Sequence, residues 1–263
     1  MSDDTHRVFY LEERRDAILA SLENDGVVRI DDLSERFQVS SATVRKDIRF
    51  LEQQGLLRRT HGGAIRPQSN LEMEFETAAV SNHDEKVRIG RAAASLVNDG
   101  DIFLVQAGTT CREFVNSLAG RHNLTLFVSD FEIAMAAERL LPDSKIIFIG
   151  GLVRSGYHYT RGTEAVRQLN GYCIPTAFMC TNAFNFKNGF STHQLEQANW
   201  LQAQMECSSK RIMMLDSSKF EIDAPFGALR LADIDLLVTD NAMKPELRRK
   251  LSKLSPELEI MFV

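Results

Sequence analysis

The sequence predicts an α/β protein with two parts, a small helical module near the N-terminus and a larger, Rossmann-like α/β domain. Two observations support this fold class. Residues 32–66 read as a pair of helices followed by two short β segments. From residue 84 onward, near-continuous apolar segments alternate with amphipathic helices, which is typical of a mostly parallel sheet covered on both faces. We therefore expect a first domain at 1–66, a polar linker at 67–83 and a second domain at 84–263.

The first domain is predicted to contain a helix-turn-helix. A short helix at 32–37 leads to Ser40, whose hydroxyl can cap a second helix that runs to Gln54. Apolar residues at spacing i, i+4 and i+7 form one buried face of that helix: Val44, Ile48 and Leu51. The opposite face starts with small polar residues and continues with cations, which suits the major groove of DNA. The residues expected to contact DNA from this helix are Ser40, Ser41, Thr43, Arg45, Lys46 and Arg49.

The segment after the second helix is predicted to form a wing. Gly55 ends the helix, and the sequence LLRRT–HGG–AIR reads as two short strands around a glycine turn. The wing residues expected to meet DNA are Arg58, Arg59, His61 and Gly62. Residues 36–66 hold seven arginines and lysines against two acidic residues, whereas the whole chain has a formal net charge of −5. A helix pair with a few arginines also fits a purely structural role, but a basic island in an acidic chain favours nucleic-acid binding.

Composition narrows the class of protein further. An apolar content of 44% and a charged content of 25% are ordinary for a soluble globular protein. The four cysteines have no paired spacing, so we expect reduced thiols rather than a zinc site: Cys111, Cys173, Cys180 and Cys207. No apolar segment has the length of a signal peptide core or a membrane span, so we expect a cytoplasmic protein without a membrane partner. Neither a metal nor a cofactor is predicted.

The second domain is predicted to contain seven strands and six helices. The strand candidates are 102–107, 124–130, 145–151, 176–183, 211–218, 235–240 and 258–263. The helix candidates are 84–99, 110–119, 131–141, 163–170, 195–209 and 244–253. Because ligands of such sheets bind at the carboxyl ends of the strands, the residues that follow each strand are candidates for a binding site.

Those strand ends carry residues suited to a small phosphorylated polyol. The turn Gly108–Thr110 opens a helix, where backbone N–H groups and two hydroxyls can hold an anion. The candidate ligand residues are Gly108, Thr109, Thr110, Asp130, Gly150, Gly151, Arg154 and Lys219. Each also has a structural interpretation: Asp130 fits a helix cap, and Arg154 and Lys219 fit exposed positions. Both interpretations stay open at the level of sequence.

Motifs in both domains resemble one family. The segment VSSATVRKDIRFLEQQGLLRRTHGGAI is similar to the N-terminal signature of DeoR-type (DeoR/GlpR) transcription regulators of bacterial sugar operons. The segment EKVRIGRAAASLVNDGDIFLVQAGTT and the later D-S-S-K-F follow the family's order as well. The resemblance implies a C-terminal domain similar to sugar-phosphate isomerases that senses a phosphorylated sugar. It further implies phosphate on Gly108–Thr110, with Lys219 and the Gly150–Gly151 loop near the sugar.

Two departures from the family pattern bear on the ligand. The family commonly has D-x-G-T-T where this chain has Gln106 before its Gly108–Thr110 turn, and V-T-N where this chain has Val128–Ser129–Asp130. A carboxylate is thus absent from one strand end and present on its neighbour. We expect Gln106 and Asp130 to contact the effector and to change the pattern of hydroxyl groups it must carry.

The function expected from the sequence is a ligand-responsive transcription regulator without enzymatic activity. Its partners are expected to be double-stranded operator DNA, a phosphorylated sugar or sugar alcohol, and further copies of the chain in a dimer or tetramer. Repression is the usual output by family resemblance. The alternative is a phosphosugar isomerase-like enzyme with a fused DNA-binding domain, with Asp130, His158, Glu196 and Lys219 as candidate acid–base groups. Gln106 argues against an enzyme, because an amide cannot abstract a proton.

Overall fold

The computed structural model describes residues 11–53, 56–60, 62–65 and 81–263. The chain divides into two compact units, residues 1–71 and 72–263. Each unit has an apolar core of its own. None of the helices in the described residues combines the length and the apolar character needed to cross a membrane.

The first unit is a winged helix-turn-helix, as the sequence predicts. Its elements are α1 (Leu11–Asp25), β1 (Val27–Arg29), α2 (Ile30–Phe37), α3 (Ser41–Gln53), β2 (Arg58–Arg59) and β3 (Gly63–Ile65). The three strands form an antiparallel sheet in the order β1–β3–β2. The sequence pattern predicts α2, α3, β2 and β3, while α1 and β1 are additional elements that it misses. Gln54 and Gly55, the predicted end of the second helix, lie outside the described residues.

The predicted buried face of α3 is confirmed. Val44, Ile48 and Leu51 are at most 3% exposed and pack in the core of the first unit. The predicted cap is confirmed as well, because the Ser40 hydroxyl accepts the backbone N–H of Thr43 at 3.2 Å. In the wing, β3 approaches β1 so closely that a side chain on Gly63 would place its Cβ 1.8 Å from the Val28 carbonyl oxygen. Only glycine permits that strand pairing.

The second unit contains all seven predicted parallel strands and all six predicted helices. In chain order the elements of this unit are α4 (His83–Ala94), β4 (Ile102–Val105), α5 (Thr109–Asn116), β5 (Thr125–Val128), α6 (Phe131–Leu140), β6 (Lys145–Phe148), β7 (Leu152–Arg154), β8 (Tyr159–Arg161), α7 (Thr163–Leu169), β9 (Ile174–Met179), β10 (Ala183–Asn185), β11 (Gly189–Thr192), α8 (Leu195–Glu206), β12 (Ser208–Met214), β13 (Phe226–Leu229), β14 (Leu236–Thr239), α9 (Pro245–Leu254) and β15 (Glu259–Phe262). The hairpin β7–β8 and the small sheet β10–β11–β13 are additional to the prediction.

The main sheet is parallel throughout, in the order β15–β14–β12–β9–β4–β5–β6. From β4 the chain proceeds outward through β5 to β6, and from β9 it proceeds in the opposite direction through β12 and β14 to β15. The order of strands therefore reverses between β4 and β9. In open parallel sheets this reversal leaves a crevice at the carboxyl ends of the two central strands, and ligands bind there.

Helices cover both faces of the main sheet, which confirms the predicted Rossmann-like layering. Alternate residues of β4 point to opposite cores: Phe103 and Val105 join one, and Leu104 joins the other. The first core includes residues of α4, α5 and α6, and the second includes residues of α7, α8 and α9. A strand buried on both faces must be apolar at nearly every position, which is why these strands read as continuous apolar segments in the sequence.

Candidate functional site

The outer face of α3 carries exposed cations. Arg45, Lys46 and Arg49 are exposed, whereas the acidic residue among them, Asp47, is only 1% exposed. Its carboxylate is bound to the guanidinium groups of α1, at 2.6 Å from Arg14 Nε and at 3.3 Å from Arg15 Nε. The Asp47 carboxylate is thus neutralised on the inner side of the helix. The face directed to solvent is more cationic than a count of charges in the sequence indicates.

Hydroxyl groups surround the start of α3. The Ser40 and Thr43 hydroxyls lie 2.9 Å apart, and the Ser41 hydroxyl lies 3.4 Å from that of Ser34 on α2. Ser40 is exposed, while Ser41 and Thr43 are half-buried. This part of the helix presents small polar groups beside the cations, which is the arrangement that reads base edges in a helix-turn-helix.

The wing adds one positioned arginine among its described side chains. Arg59 Nε lies 2.5 Å from Glu52 Oε2 on α3, and the Arg59 backbone N–H donates to the same carboxylate at 3.1 Å. These two interactions hold the pKa of the Glu52 carboxyl below its ordinary value. Gly62 directly precedes β3 and its carbonyl accepts the Ile30 N–H at 2.8 Å. Arg58 lies in β2, and His61 lies outside the described residues.

A polar cleft lies at the strand reversal of the second unit. The space between its walls is about 660 Å³ when its open mouth is included. The lining residues are Lys86, Ala107, Gly108, Thr109, Thr110, Tyr157, Tyr159, Cys180, Thr181, Asn182, Gln197, Leu215, Asp216 and Lys219. Two of its walls are the segments that follow β4 and β9. Four of the sequence-predicted effector residues are therefore brought together here: Gly108, Thr109, Thr110 and Lys219.

The amino terminus of α5 opens into this cleft. The helix starts after Gly108, whose carbonyl accepts the Arg112 N–H at 2.9 Å. The N–H groups of the first turn have no partner within a helix, so Thr109 and Thr110 can offer theirs to an anion. Gly108 has a φ of 140°, and a Cβ there would lie 2.7 Å from Cys180 Sγ. A side chain at position 108 would therefore be strained and would also displace the sulfur of Cys180.

Two lysines add positive charge to the same cleft. Lys86 of α4 is 3% exposed and its ammonium group donates to the Ser81 carbonyl at 2.6 Å. Burial lowers the pKa of Lys86 to about 8, against the opposing effect of the Asp216 carboxylate. Lys219 ends a short 3₁₀ turn after β12. An anion in the cleft would thus meet a helix amino terminus and two ammonium groups.

The remaining polar lining is suited to hydroxyl groups. Asp216 is 2% exposed and its carboxylate lies 3.3 Å from Asn82 Nδ2. The Thr192 hydroxyl lies 2.7 Å from Asn182 Oδ1 and 2.5 Å from Gln197 Oε1, and its proton can bond either amide oxygen. Carboxylate and amide groups held in this way can accept and donate hydrogen bonds to a polyol.

Five predicted effector residues lie outside the lining of the cleft: Gln106, Asp130, Gly150, Gly151 and Arg154. Gln106 is 1% exposed, and neither atom of its amide has a hydrogen-bond partner among the described residues. Gly150 forms backbone hydrogen bonds with the Gln168 amide, and Gly151 is so close to β8 that a Cβ would lie 2.7 Å from the Arg161 carbonyl oxygen. A direct role of these residues in effector binding stays a prediction.

Asp130 and Arg154 have structural partners next to the cleft. Asp130 is fully buried and caps α6 by accepting the Ile133 N–H at 3.0 Å. Burial raises the pKa of Asp130 to about 6. Arg154 donates to the Tyr159 hydroxyl at 2.7 Å, and its guanidinium lies 3.4 Å from the centre of the Tyr157 ring. Arg154 therefore holds both tyrosines that line the cleft.

The candidate acid–base groups do not converge. Of Asp130, His158, Glu196 and Lys219, only Lys219 lines the cleft. His158 lies 3.7 Å from Glu132, and Glu196 lies 3.7 Å from Arg161 with a side chain that is 57% exposed. Within the part of the chain that the structure describes, no group of three or more His, Cys, Asp or Glu residues is placed to hold a metal.

The fold and the site define a class of protein. A winged helix with a cationic outer face, followed by an α/β domain with a polar cleft, is the organisation of a ligand-sensing transcription regulator. Residues 14–70 match the model of the DeoR-like helix-turn-helix domain, and residues 81–241 match that of the DeoR C terminal sensor domain. The chain belongs to the DeoR family of transcriptional regulators.

Individual relatives agree with this family. The chain is 31% identical over 236 residues to the transcriptional repressor AccR of Agrobacterium fabrum. The aligned region covers 89% of this chain and 91% of that protein. It is 28% identical over 240 residues to the lactose phosphotransferase system repressor of Lactococcus lactis, covering 89% and 93%. Among solved structures, ribose 5-phosphate isomerase A of Methanocaldococcus jannaschii is similar with a TM-score of 0.39 and 17% identity, covering 53% of this chain and 55% of that one.

Proposed function

We propose that this chain is a repressor of a carbohydrate-utilisation operon and that a small phosphorylated sugar or sugar alcohol, bound in the cleft, controls its affinity for operator DNA. Convergence at the strand reversal supports the effector class: the amino terminus of α5, Lys86 and Lys219 meet in one cleft. A helix amino terminus together with cations favours phosphate. The names of the two relatives above, both repressors, support the sign of regulation.

The hydroxyl-bearing part of the effector is proposed to contact the remaining polar groups of the cleft. Asp216, Asn182 and Gln197 supply a carboxylate and two amides, each in contact with a neighbouring side chain. Tyr157 and Tyr159 supply partly apolar surfaces against which a sugar ring or chain can pack. One anionic end and several hydrogen-bonding positions match a sugar phosphate better than an uncharged sugar.

Operator recognition is proposed to use the outer face of α3 and the wing. Arg45, Lys46 and Arg49 would contact base edges or phosphates in the major groove, with Ser40, Ser41 and Thr43 at the helix start. Arg58, Arg59, His61 and Gly62 would contact the backbone from the wing. A single winged helix makes few base contacts, so a dimer or tetramer is proposed to bind half-sites spaced by whole turns of DNA.

The effector acts only to the extent that it binds the DNA-bound and DNA-free states with different affinity. Couplings of this kind are typically about 1–3 kcal/mol, or roughly 5–150-fold in affinity. The isomerase alternative gains no support from the geometry, since three of its four candidate groups lie outside the cleft lining.

Calorimetry with matched pairs of ligands tests the effector class. Each sugar phosphate of a panel is titrated into the full-length protein beside the same sugar without phosphate. We expect at least one phosphorylated member to bind, its unphosphorylated partner to bind more weakly, and Lys219→Ala to abolish the difference. Equal binding of both members of a pair, or binding of unphosphorylated sugars alone, would contradict the proposed anion site.

A further inference from the structure

The fold brings two cysteines together at the cleft although they are 69 positions apart in the sequence. Cys111 lies in the first turn of α5 and is fully buried, and Cys180 directly follows β9 and is half-buried. Each thiol reaches the segment of the other: Cys180 Sγ donates to the Ala107 carbonyl at 3.4 Å, and Cys111 Sγ to the Phe178 carbonyl at 3.9 Å. The pair therefore spans the crevice between the ends of β4 and β9.

The same two cysteines adjoin the proposed anion site. Cys180 Sγ lies against Gly108, at 2.7 Å from the position that a Cβ would take there. Cys111 belongs to the helix turn whose N–H groups would bind the anion. A disulfide requires the sulfurs to approach to about 2.05 Å with a dihedral angle near 90°. Closing that distance draws Cys180 off Gly108 and pulls the first turn of α5 toward β9.

We propose that Cys111 and Cys180 form a peroxide-sensitive disulfide pair, and that the bond, once formed, disrupts the anion site between Gly108 and Thr110. The effect on ligand binding rests on the proposed function of the cleft, whereas the formation of the bond does not. Disulfides in proteins that are otherwise reduced are typically transient and redox-sensing.

The two thiols have different roles in the reaction. Cys180 lines the open cleft, so a hydroperoxide reaches it first. Cys111 is fully buried, and burial raises the pKa of its thiol well above the usual range, which disfavours the thiolate that a peroxide oxidises. Cys180 is thus the peroxidatic thiol and Cys111 the resolving thiol.

The chemistry balances with one hydroperoxide per disulfide. The Cys180 thiolate attacks the terminal oxygen, the O–O bond breaks, and the leaving hydroxide or alkoxide takes up a proton, which leaves a sulfenic acid on Cys180. The Cys111 sulfur then attacks the sulfur of the sulfenic acid. The S–S bond forms, the S–O bond breaks, and the departing hydroxide takes the Cys111 proton and leaves as water. The two thiols lose two electrons in total, and the peroxide gains them.

The other two cysteines provide a matched control. Cys173 directly precedes β9 and Cys207 directly precedes β12, so they lie at the amino edge of the sheet, opposite the cleft. The Ile174 N–H donates to the Cys207 carbonyl at 2.7 Å, which places the two cysteines on adjacent strands. Cys173 is exposed and open to oxidation. The Cys173→Ser/Cys207→Ser double variant therefore separates general thiol oxidation from the reaction at the cleft.

The test treats reduced full-length protein with hydrogen peroxide and measures two quantities. Peptide mapping by mass spectrometry without reductant identifies the linked residues, and titration with inorganic phosphate gives the affinity of the anion site. We expect a linked Cys111–Cys180 peptide in the wild type and in the double variant. Phosphate affinity should fall about tenfold or more, and tenfold corresponds to about 1.4 kcal/mol. Dithiothreitol should remove the link and restore the affinity. Cys180→Ser should form no linked peptide and should keep its phosphate affinity in peroxide.

Three results would overturn the proposal in distinguishable ways. Oxidation of Cys173 without any linked Cys111–Cys180 peptide would refute the disulfide pair. A linked protein that binds phosphate as well as the reduced protein would refute its effect on the anion site. A reduced protein with no phosphate affinity would contradict the proposed function of the cleft, and with it the effect of the bond on binding, while the peptide map would still decide whether the bond forms.

Discussion

Replacing Lys86 by methionine is expected to weaken effector binding and, at the same time, to stabilise the free protein. The ammonium group of Lys86 is buried in the cleft into which the amino terminus of α5 opens. Burial disfavours the charge and lowers the pKa of Lys86 from an ordinary 10.5 to about 8. That difference corresponds to a cost of about 3 kcal/mol for holding the charge in the folded protein. Methionine fills a similar volume without the charge, and it gives up the hydrogen bond to Ser81 and the attraction of the Asp216 carboxylate.

The expected loss of affinity follows from the contact that the lysine would make. A hydrogen bond between a buried ammonium group and a phosphate contributes about 1.5–3 kcal/mol, so the Kd for a sugar phosphate should rise roughly 10–150-fold. The unfolding temperature of the free variant should be equal to or higher than that of the wild type, at about 2–4 °C per kcal/mol for a domain of this size. Loss of binding together with unchanged or greater stability separates a binding role from a folding defect.

The pH dependence has a definite sign. Lys86 is charged below about pH 8 and neutral above it, so affinity for the anion should fall as pH rises through 8. The phosphate is already a dianion in this range, since its second pKa is about 6. The stability advantage of the Lys86→Met variant should be full below pH 8 and should vanish as pH rises toward 10.5, because only the unfolded wild type binds the extra proton in that interval.

Calorimetry at pH 7 and pH 9 measures the affinity, and thermal unfolding measures the stability. The control is Lys145→Met, which replaces an exposed lysine at the start of β6. The control should bind the effector with unchanged affinity and should keep the pH dependence. If Lys86→Met bound the effector as tightly as the wild type, the assignment of Lys86 to the anion site would be refuted. A lower unfolding temperature would refute the argument that the buried charge destabilises the free protein.

Three further predictions concern other parts of the structure. Arg45→Ala should weaken operator binding by about 1–3 kcal/mol if the arginine contacts a base. Fluorescence anisotropy at fixed salt measures this loss of affinity. Unchanged affinity together with unchanged sequence preference would exclude a contact between Arg45 and a base. Asp47→Ala removes the carboxylate of a buried ion pair and should lower the free energy of unfolding of the first unit by about 3–5 kcal/mol in urea, whereas the exposed Asp32→Ala should change it little. Lys219→Ala should leave operator affinity unchanged and abolish the response to effector, and a normal response would rule the lysine out.

The sequence predicts the elements of the main sheet well because each strand is buried on both faces. It misses the β7–β8 hairpin, since Leu152 and Val153 are exposed and the short segment shows no apolar alternation. It also misses β1, which is three residues long and becomes a strand only by pairing with β3 of the wing. Short strands of this kind depend on tertiary partners rather than on local pattern.

The sequence predicts the site residues that lie together in one segment. It does not predict those that come together only because their strands are neighbours in the sheet. Gly108–Thr110 stands out in the sequence because a glycine and two hydroxyls follow an apolar strand. Cys180 and Asn182 join it only because β9 lies beside β4, which no local pattern reveals. Lys86 had a usable signal, since it lies three residues before the buried Ile89 on the apolar face of α4, where a lysine is unusual.

The most direct test of the central claim is fluorescence anisotropy of the full-length protein on DNA upstream of its own and neighbouring genes, at fixed salt, with and without a pool of sugar phosphates. We expect tight, sequence-selective binding to one fragment that weakens when one member of the pool is added. Selective binding that no sugar phosphate changes would contradict the proposed effector class. The absence of selective binding to every fragment would contradict the proposed control of a neighbouring operon.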